Sequence, residues 1–172
     1  MASILTNTFK FLISRLKLYL LVFVEPHDPE KIFNYYKIEG LFPTSGQPTA
    51  KELTMLARNG YELVINLAPN SLLEGAVILE EKILEKHDVK YIHLPVDFSN
   101  PTDEDFEKFV SAIEQNAEKK IWVHCAANMR VSAFVYRYRR DILGHQTNEI
   151  MKDLEALWTP NKVWASFLQK TS

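Results

Sequence analysis

The chain has 172 residues, of which 47% are hydrophobic and 24% are charged, the length and balance of one globular domain with a sizeable core. A formal net charge of -2 and a pI of about 6.2 provide no global attraction for nucleic acid, so DNA or RNA binding would require a local basic patch. The best candidate patch, Arg137, Arg139 and Arg140, is interpreted as the solvated face of a helix, and no nucleic-acid partner is expected. The single cysteine, Cys125, excludes an intrachain disulfide framework and a cysteine-rich zinc site.

The N-terminal segment, residues 9–25, is strongly apolar but is interrupted by Lys10, Arg15 and Lys17. A membrane-spanning helix needs about 20 mostly uncharged residues, and no small-residue cleavage motif follows, so neither a span nor a cleaved signal peptide is favoured. Three interpretations stay open: a helix packed on the domain or on a second subunit, a helix in a membrane interface, and an uncleaved signal-anchor.

The stretch "EPHDPE", with two prolines, predicts a linker, which divides the chain into an N-terminal extension of residues 1–31 and a domain of residues 32–172. The lack of a disulfide framework fits a reducing compartment, so we expect a cytoplasmic protein. Its apolar extension would provide membrane-surface contact or dimerisation.

Strand-like and helix-like segments alternate along the domain. "YYKIEG", "YELVINLA", "VKYIHLPV" and "KIWVHC" predict strands, whereas helices are predicted over residues 49–59, 72–88, 102–119, 129–142, 148–157 and 162–168. A capping-box pattern, Thr49 with Glu52, predicts the start of the first helix, and Gly60 its end. This alternation predicts an α/β fold with a central, mostly parallel sheet covered by helices on both faces.

The stretch "KKIWVHCAANMRVSAFVYRYRR" places Cys125 at the carboxyl end of a buried strand and just before a helix, where ligands bind in such folds. A free cysteine is also commonly a small core residue, but this position favours a functional one. Amides at a helix start bind oxyanions and favour a thiolate, and Arg130 can close the ring. Asn128 is the best residue for a positive φ, since the loop has no glycine. The predicted phosphate-binding residues are Ala126, Ala127, Asn128, Met129 and Arg130.

These residues resemble the phosphate loop of the cysteine-dependent phosphatases, HC-x5-R-[ST]. More closely, the chain resembles a family of small bacterial proteins related to dual-specificity and protein tyrosine phosphatases, in order over residues 36–164. The motifs that carry the resemblance are "TSGQPT", "VINLAP", "LPVDFSNPTDEDFEKF" and "VHCAANMRVSAF".

The resemblance implies a cysteine-phosphatase-like fold and hydrolysis of a phosphomonoester on a protein or small molecule. Cys125 would be the nucleophile that forms a phosphocysteine, and Arg130 would bind the phosphoryl oxygens. Asp97 would be the general acid. Ser132 would donate a hydrogen bond to the sulfur, and His124 would support the loop from behind. No metal and no cofactor are implied.

Some alternatives remain open at this stage. Asp97 could only cap a turn, and Ser45 and Gln47 could either lie near the loop or form only a turn and helix start. The loop has four residues between Cys125 and Arg130, one fewer than the superfamily pattern, although Ser132 keeps the usual offset. Four residues is also the length seen in rhodanese-like sulfurtransferases, in which Cys125 would carry a persulfide. A catalytically weak phosphate-binding or scaffold domain is the third interpretation.

Overall fold

The computed structural model describes residues 26–70 and 79–170. Within them, four parallel strands form one sheet in the order β1-β4-β2-β3. The strands are β1 (Thr44–Ser45), β2 (Leu63–Asn66), β3 (Lys90–His93) and β4 (Ile121–His124). The predicted parallel α/β fold is therefore confirmed. The apolar segment of residues 9–25 and the first part of the helix predicted over residues 72–88 lie outside the described residues.

Helices connect the strands and follow the last one, as the sequence pattern predicts. Those in the described part of the chain are α1 (Ala50–Arg58), α2 (Glu80–Glu85), α3 (Asp103–Glu114), α4 (Met129–Arg137), α5 (Thr147–Leu157) and α6 (Lys162–Gln169). A 3-10 turn, Pro29–Lys31, precedes β1, and a π-helical turn, Tyr138–Ile142, continues α4.

The alternation of side chains along the central strands divides the interior into two cores. On β4, Ile121 and Val123 face the larger core under α3 to α6, whereas Trp122 faces a smaller core formed with α1 and α2. All four residues of β2 and of β4 are buried, as expected of parallel strands covered on both faces. Fully burying one large apolar side chain stabilises the fold by about 1.5–3 kcal/mol, so both faces contribute to holding the sheet.

Local signals place the helix starts. Thr49 accepts a hydrogen bond from the Glu52 amide while the Glu52 carboxylate accepts one from the Thr49 amide, so the predicted capping box is confirmed. Thr102 and Asp105 form the same box at the start of α3. Gly60 has a φ of 77° just after α1, a conformation that glycine adopts without steric cost.

The strand predicted over "YYKIEG" is wrong. Tyr36 makes only an isolated antiparallel bridge to Thr44, and the first sheet strand is Thr44–Ser45. The Tyr36 hydroxyl donates to Asp153, and Ile38 is buried in the larger core. Tertiary contacts of individual side chains, rather than a ladder, therefore fix this segment.

The predicted solvated face of Arg137, Arg139 and Arg140 is also wrong. Arg137 is only 1% exposed, and its guanidinium lies over the rings of Phe106 and Phe167 at 4.2 and 4.7 Å. Buried arginines need charged partners, and all three arginines pair with carboxylates of Asp103, Asp141 and Asp153. The patch is a set of internal ion pairs that attach α4 and the π-helical turn to α3 and α5.

Among residues 26–70 and 79–170, no helix has both the length and the apolar character needed to cross a membrane.

Candidate active site

The loop between β4 and α4 is built around one left-handed residue. Asn128, directly before α4, has φ 62° and ψ 8°, which confirms the conformation predicted for it. Asparagine tolerates this region better than other residues with a Cβ, because its short polar side chain bonds locally. The side-chain amide of Asn128 donates to the Asn34 carbonyl oxygen at 2.8 Å and to the Thr44 hydroxyl at 2.9 Å. The turn is therefore fixed by two segments distant in sequence.

The loop pairs with the chain after β1 through an isolated antiparallel bridge between Gly46 and Ala127. The first helical bond of α4 runs from the Ser132 amide to the Asn128 carbonyl oxygen, so the amides of the first turn of α4 have no acceptor within the helix. Unpaired amides at the start of a helix form a site for an oxyanion. Cys125, at the start of this loop, is 1% exposed and forms no disulfide. Below, this loop of residues 125–130 is called the cradle.

Ser45 and Gln47 support the cradle from below. The Cys125 amide donates to the Ser45 carbonyl oxygen at 3.3 Å, and the Gln47 amide donates to the Ala126 carbonyl oxygen at 3.1 Å. The Ser45 hydroxyl accepts from the Trp122 indole at 3.0 Å, so it faces the smaller core. Both residues therefore brace the loop backbone, and a direct role toward substrate stays a prediction.

Gly46 allows this close approach. A Cβ added there would lie 2.5 Å from the Phe33 ring and 3.0 Å from the Ala126 carbonyl oxygen, closer than side chains tolerate. The Gly46 amide also donates to the Phe33 carbonyl oxygen at 2.7 Å. The segment of Phe33 and Asn34 therefore packs against the cradle, and the Asn34 side chain donates to the Ala127 carbonyl oxygen at 3.0 Å.

Arg130 lies in the first turn of α4 and joins the cradle to the loop that carries Asp97. It is 4% exposed, and its Nε donates to the Val96 carbonyl oxygen at 2.9 Å. Its guanidinium lies 5.2 Å from the centre of the Phe98 ring. These contacts on both sides of Asp97 hold the arginine fork at one edge of the cradle.

Asp97 is exposed and forms a local turn. One carboxylate oxygen accepts from the Ser99 amide and from the Ser99 hydroxyl, both at 2.8 Å. The hydrogen bonds from the Ser99 backbone amide and hydroxyl, together with the nearby Arg130 charge, lower the pKa of the Asp97 carboxyl. The turn-capping interpretation therefore describes its contacts, and the general-acid role stays a prediction.

Two tryptophans hold the Asp97 loop against α5 and α6. The Trp164 indole donates to the Phe98 carbonyl oxygen at 3.0 Å, and the Phe98 ring packs against both Trp158 and Trp164. The Trp158 indole donates to the Ser132 hydroxyl, which itself donates to the Met129 carbonyl oxygen, each at 3.0 Å. In this structure the Ser132 hydrogen is directed to that carbonyl and not to the Cys125 sulfur, so its contact with the sulfur stays a prediction.

His124 lies behind the cradle and is 0% exposed. Its Nε2 is 3.0 Å from a carboxylate oxygen of Glu80, the first residue of α2, which is itself 2% exposed. The other Glu80 oxygen accepts from the Gln47 side chain at 2.6 Å. Burial alone would raise the pKa of Glu80, but the His124 charge and the hydrogen bonds from His124 and Gln47 outweigh it and lower that pKa.

Sequence reasoning did not identify Glu80. Its signal was present, because Glu80 precedes Leu84 by four residues, which places both on one face of a helix, and Leu84 is a core residue. Asn34 and Phe98 were also not identified as site residues, since they contact the cradle only through the tertiary fold. Among the described residues, no cluster of three His, Cys, Asp or Glu side chains is arranged to hold a metal ion.

Comparisons with known proteins identify the family of the chain. The chain matches, over residues 24–165, the model of a family described as "DSP-PTPase phosphatase fused to NAD+ Kinase". A solved structure from Shewanella putrefaciens CN-32, described as a candidate phosphatase (DUF442), is 30% identical with a TM-score of 0.70; the match covers 81% of this chain and 91% of that one. No curated protein matches.

Two more distant structures share the fold. The core catalytic domain of the PP-IP phosphatase SIW14 from S. cerevisiae is 14% identical with a TM-score of 0.68, covering 82% of this chain and 86% of that one. A variant of TpbA from P. aeruginosa, solved with pTyr, is 16% identical with a TM-score of 0.64, covering 84% and 87%. The matched family is a phosphatase family, so the sulfurtransferase interpretation is not favoured.

Proposed function

Since the chain belongs to the DSP-PTPase phosphatase family, we propose that it hydrolyses a phosphomonoester through a phosphocysteine on Cys125. The observation that carries the proposal is the cradle itself. A single buried thiol, Cys125, directly follows β4, and after it come the left-handed Asn128, the start of α4 and the buried Arg130. Donors aimed at one point are the arrangement that stabilises charge on a transferring phosphoryl group.

In the first step, the Cys125 thiolate attacks phosphorus while the bond from phosphorus to the ester oxygen breaks. The electron pair of that bond goes to the leaving oxygen, and the cradle amides and the Arg130 fork bind the other phosphoryl oxygens. The field of the helix start favours the thiolate over the thiol. The loop has one residue, and therefore one backbone amide, fewer than the superfamily pattern, and Asn128 supplies its left-handed turn.

Asp97 would donate the proton that the leaving oxygen needs. Its lowered pKa means that it is a carboxylate in the free protein at neutral pH, so the proton must be acquired when the substrate anion binds beside it. Esters with acidic leaving groups, such as aryl phosphates, need little help from an acid. Alkyl phosphates depend on it, so the role of Asp97 is tested by comparing these two substrate classes.

In the second step, water attacks the phosphorus of phosphocysteine, the bond from phosphorus to sulfur breaks, and inorganic phosphate is released. Asp97, now a carboxylate again, would take the proton from water, and the Cys125 thiolate is regenerated. Each cycle consumes one ester and one water and produces one alcohol and one phosphate, so no external oxidant or reductant is required.

The test measures hydrolysis of an aryl phosphate by the wild type, Cys125→Ser and Arg58→Lys, with and without vanadate. We expect vanadate-sensitive turnover in the wild type, none in Cys125→Ser and wild-type turnover in Arg58→Lys, an exposed position on α1. Turnover that persists in Cys125→Ser contradicts the proposed mechanism. A wild type that binds vanadate without turnover supports the phosphate-binding scaffold instead.

Two substrates to be tested are chosen from what the structures of similar proteins are described as binding or hydrolysing. TpbA was solved with pTyr and SIW14 is described as a PP-IP phosphatase, so a phosphotyrosine peptide and an inositol pyrophosphate represent the two chemistries. The cradle recognises the phosphoryl group that both contain, and we infer a phosphomonoester on a protein or small molecule as the substrate class.

A further inference from the structure

One buried carboxylate connects the ends of the sheet strands behind the cradle. Glu80 is held by His124, the last residue of β4, and by Gln47, which follows β1 closely. The side chain of Asn66, the last residue of β2, lies 3.5 Å from the Glu80 oxygen that accepts from Gln47, and it donates to the Tyr91 hydroxyl of β3 at 3.1 Å. A carboxylate that is 2% exposed is rarely found without such partners.

The contacts of Glu80 lead to the backbone on both sides of Cys125. On one side its oxygen accepts from His124, the residue before the cysteine, at 3.0 Å. On the other side, the side chain of Gln47 donates to Glu80 at 2.6 Å. The backbone amide of Gln47 donates at 3.1 Å to the carbonyl oxygen of Ala126, the residue after the cysteine. Two bridges from one carboxylate therefore bracket the cysteine.

The charge of Glu80 has a cost at this position. A negative charge behind a site for an anion opposes both a thiolate and a bound phosphate unless it is compensated. The titratable groups facing Glu80 are His124 from β4 and Tyr91 and His93 from β3; Glu81 also acts on Tyr91. Because the carboxylate accepts from His124, Nε2 of that ring carries a hydrogen, and Nδ1 is buried without a partner among the described residues.

We propose that Glu80 is a positioning residue, which holds the cradle around Cys125 through His124 and Gln47. This inference rests on the proposed function and deepens it. A positioning role and a bystander charge predict opposite effects when the charge is removed. If Glu80 positions the cradle, a cradle without the Glu80 carboxylate stabilises the Cys125 thiolate less. If Glu80 were only a bystander charge, removing it would instead stabilise the thiolate, because a nearby negative charge would be lost.

The experiment measures alkylation of Cys125 by iodoacetamide across pH, together with kcat and KM for an aryl phosphate. The variants are Glu80→Gln and the matched control Glu81→Gln, which changes the adjacent, exposed glutamate. For Glu80→Gln we expect the alkylation midpoint to move up by about one pH unit, and kcat to fall about tenfold with KM changed less than about twofold. Glu81→Gln should superimpose on the wild type. A midpoint in Glu80→Gln that stays or falls overturns the proposal.

Glu80→Asp keeps the experiment decisive if Glu80→Gln does not fold. Aspartate keeps the charge but is one methylene shorter, so a bystander charge predicts no shift, whereas a positioning role predicts the upward shift. If neither variant gives a folded protein by circular dichroism, Glu80 serves the fold alone and the proposal is overturned. Alkylation does not need turnover, so a wild type without phosphatase activity defeats the proposed function while the midpoints still decide the role of Glu80.

Discussion

The two sides of the candidate site are held in different ways. Cys125 and Arg130 are buried, and the cradle and the adjacent His124 are braced by residues far away in sequence, among them Asn34, Gln47 and Glu80. Asp97 is exposed, and its carboxylate is held by Ser99, only two residues further on. The Cys125 side therefore depends on the whole fold, whereas the Asp97 side depends on a local turn. Changes at Asp97 should alter chemistry without altering stability, and changes behind the cradle should alter both.

Among the substitutions that keep Cys125, the largest effect is expected at Asp97. Asp97→Asn should lower kcat for an alkyl phosphate by about 10²–10⁴-fold, the usual contribution of a general acid, with a much smaller loss for an aryl phosphate with an acidic leaving group. The melting temperature should stay within about 1 °C, because the side chain is exposed and asparagine can accept the same bonds from Ser99. Glu104→Gln, another exposed carboxylate, is the control. Equal losses on both substrates contradict the assignment.

Arg130 connects the two sides, and its substitution should weaken both. Arg130→Lys keeps the charge but loses the planar fork and the Nε bond to the Val96 carbonyl oxygen. We expect kcat/KM for an aryl phosphate to fall about 10²–10³-fold, comparable to losing one oxyanion donor, and vanadate affinity to fall with it. Steady-state kinetics with Arg58→Lys as control measures this effect. Unchanged vanadate binding would show that the arginine does not contact the phosphoryl group.

Glu80 should make stability depend on pH. Its pKa is lowered in the folded protein from 4.5, so its stabilising contribution is complete above about pH 4.5 and is lost as the pH falls through the folded-state value. We expect Glu80→Gln to lower the free energy of unfolding by about 3 kcal/mol at pH 7, since it leaves buried partners uncompensated. Urea unfolding at several pH values should show this difference shrinking in acid. A difference that grows as the pH falls contradicts the ion-pair description.

Asn128 should give the smallest effect. Asn128→Gly keeps the left-handed turn and loses the two side-chain bonds, whereas Asn128→Ala loses the bonds and adds strain at φ 62°. We therefore expect the alanine variant to be less stable than the glycine variant by about 1 kcal/mol. Equal stabilities would mean that the backbone at this residue relaxes in the alanine variant.

Local signals in the sequence predicted the features that depend on near neighbours. The capping box at Thr49 and the left-handed Asn128 follow from residue chemistry over a few positions. The strands β2, β3 and β4 were predicted from short apolar runs, and the helices from apolar residues at helical spacing. The local signals and the apolar patterns indicate the same strands and helices, which is why the α/β fold could be predicted.

The features that were missed depend on which distant residues meet. Arg137 follows a helical pattern that also suits an exposed face, and only its pairing with Asp103 and its contact with two phenylalanine rings explain its burial. Glu80 has the same character, since its carboxylate is compensated by His124 and Gln47. "YYKIEG" has strand propensity, but it meets no partner strand beyond one bridge. Pairing of this kind is a tertiary property that a single sequence does not encode locally.

The central claim is that phosphate is transferred to Cys125. The most direct measurement mixes Asp97→Asn with an aryl phosphate, quenches in acid within the first turnovers, and locates the added phosphoryl group by peptide mass spectrometry. Because the proposed mechanism also uses Asp97 as the base for water, this variant should accumulate the intermediate. We expect one phosphoryl group on the peptide that contains Cys125 and none in the Cys125→Ser variant. Aryl phosphate turnover with no phosphoryl group on that cysteine, or with one on another residue, would contradict the account.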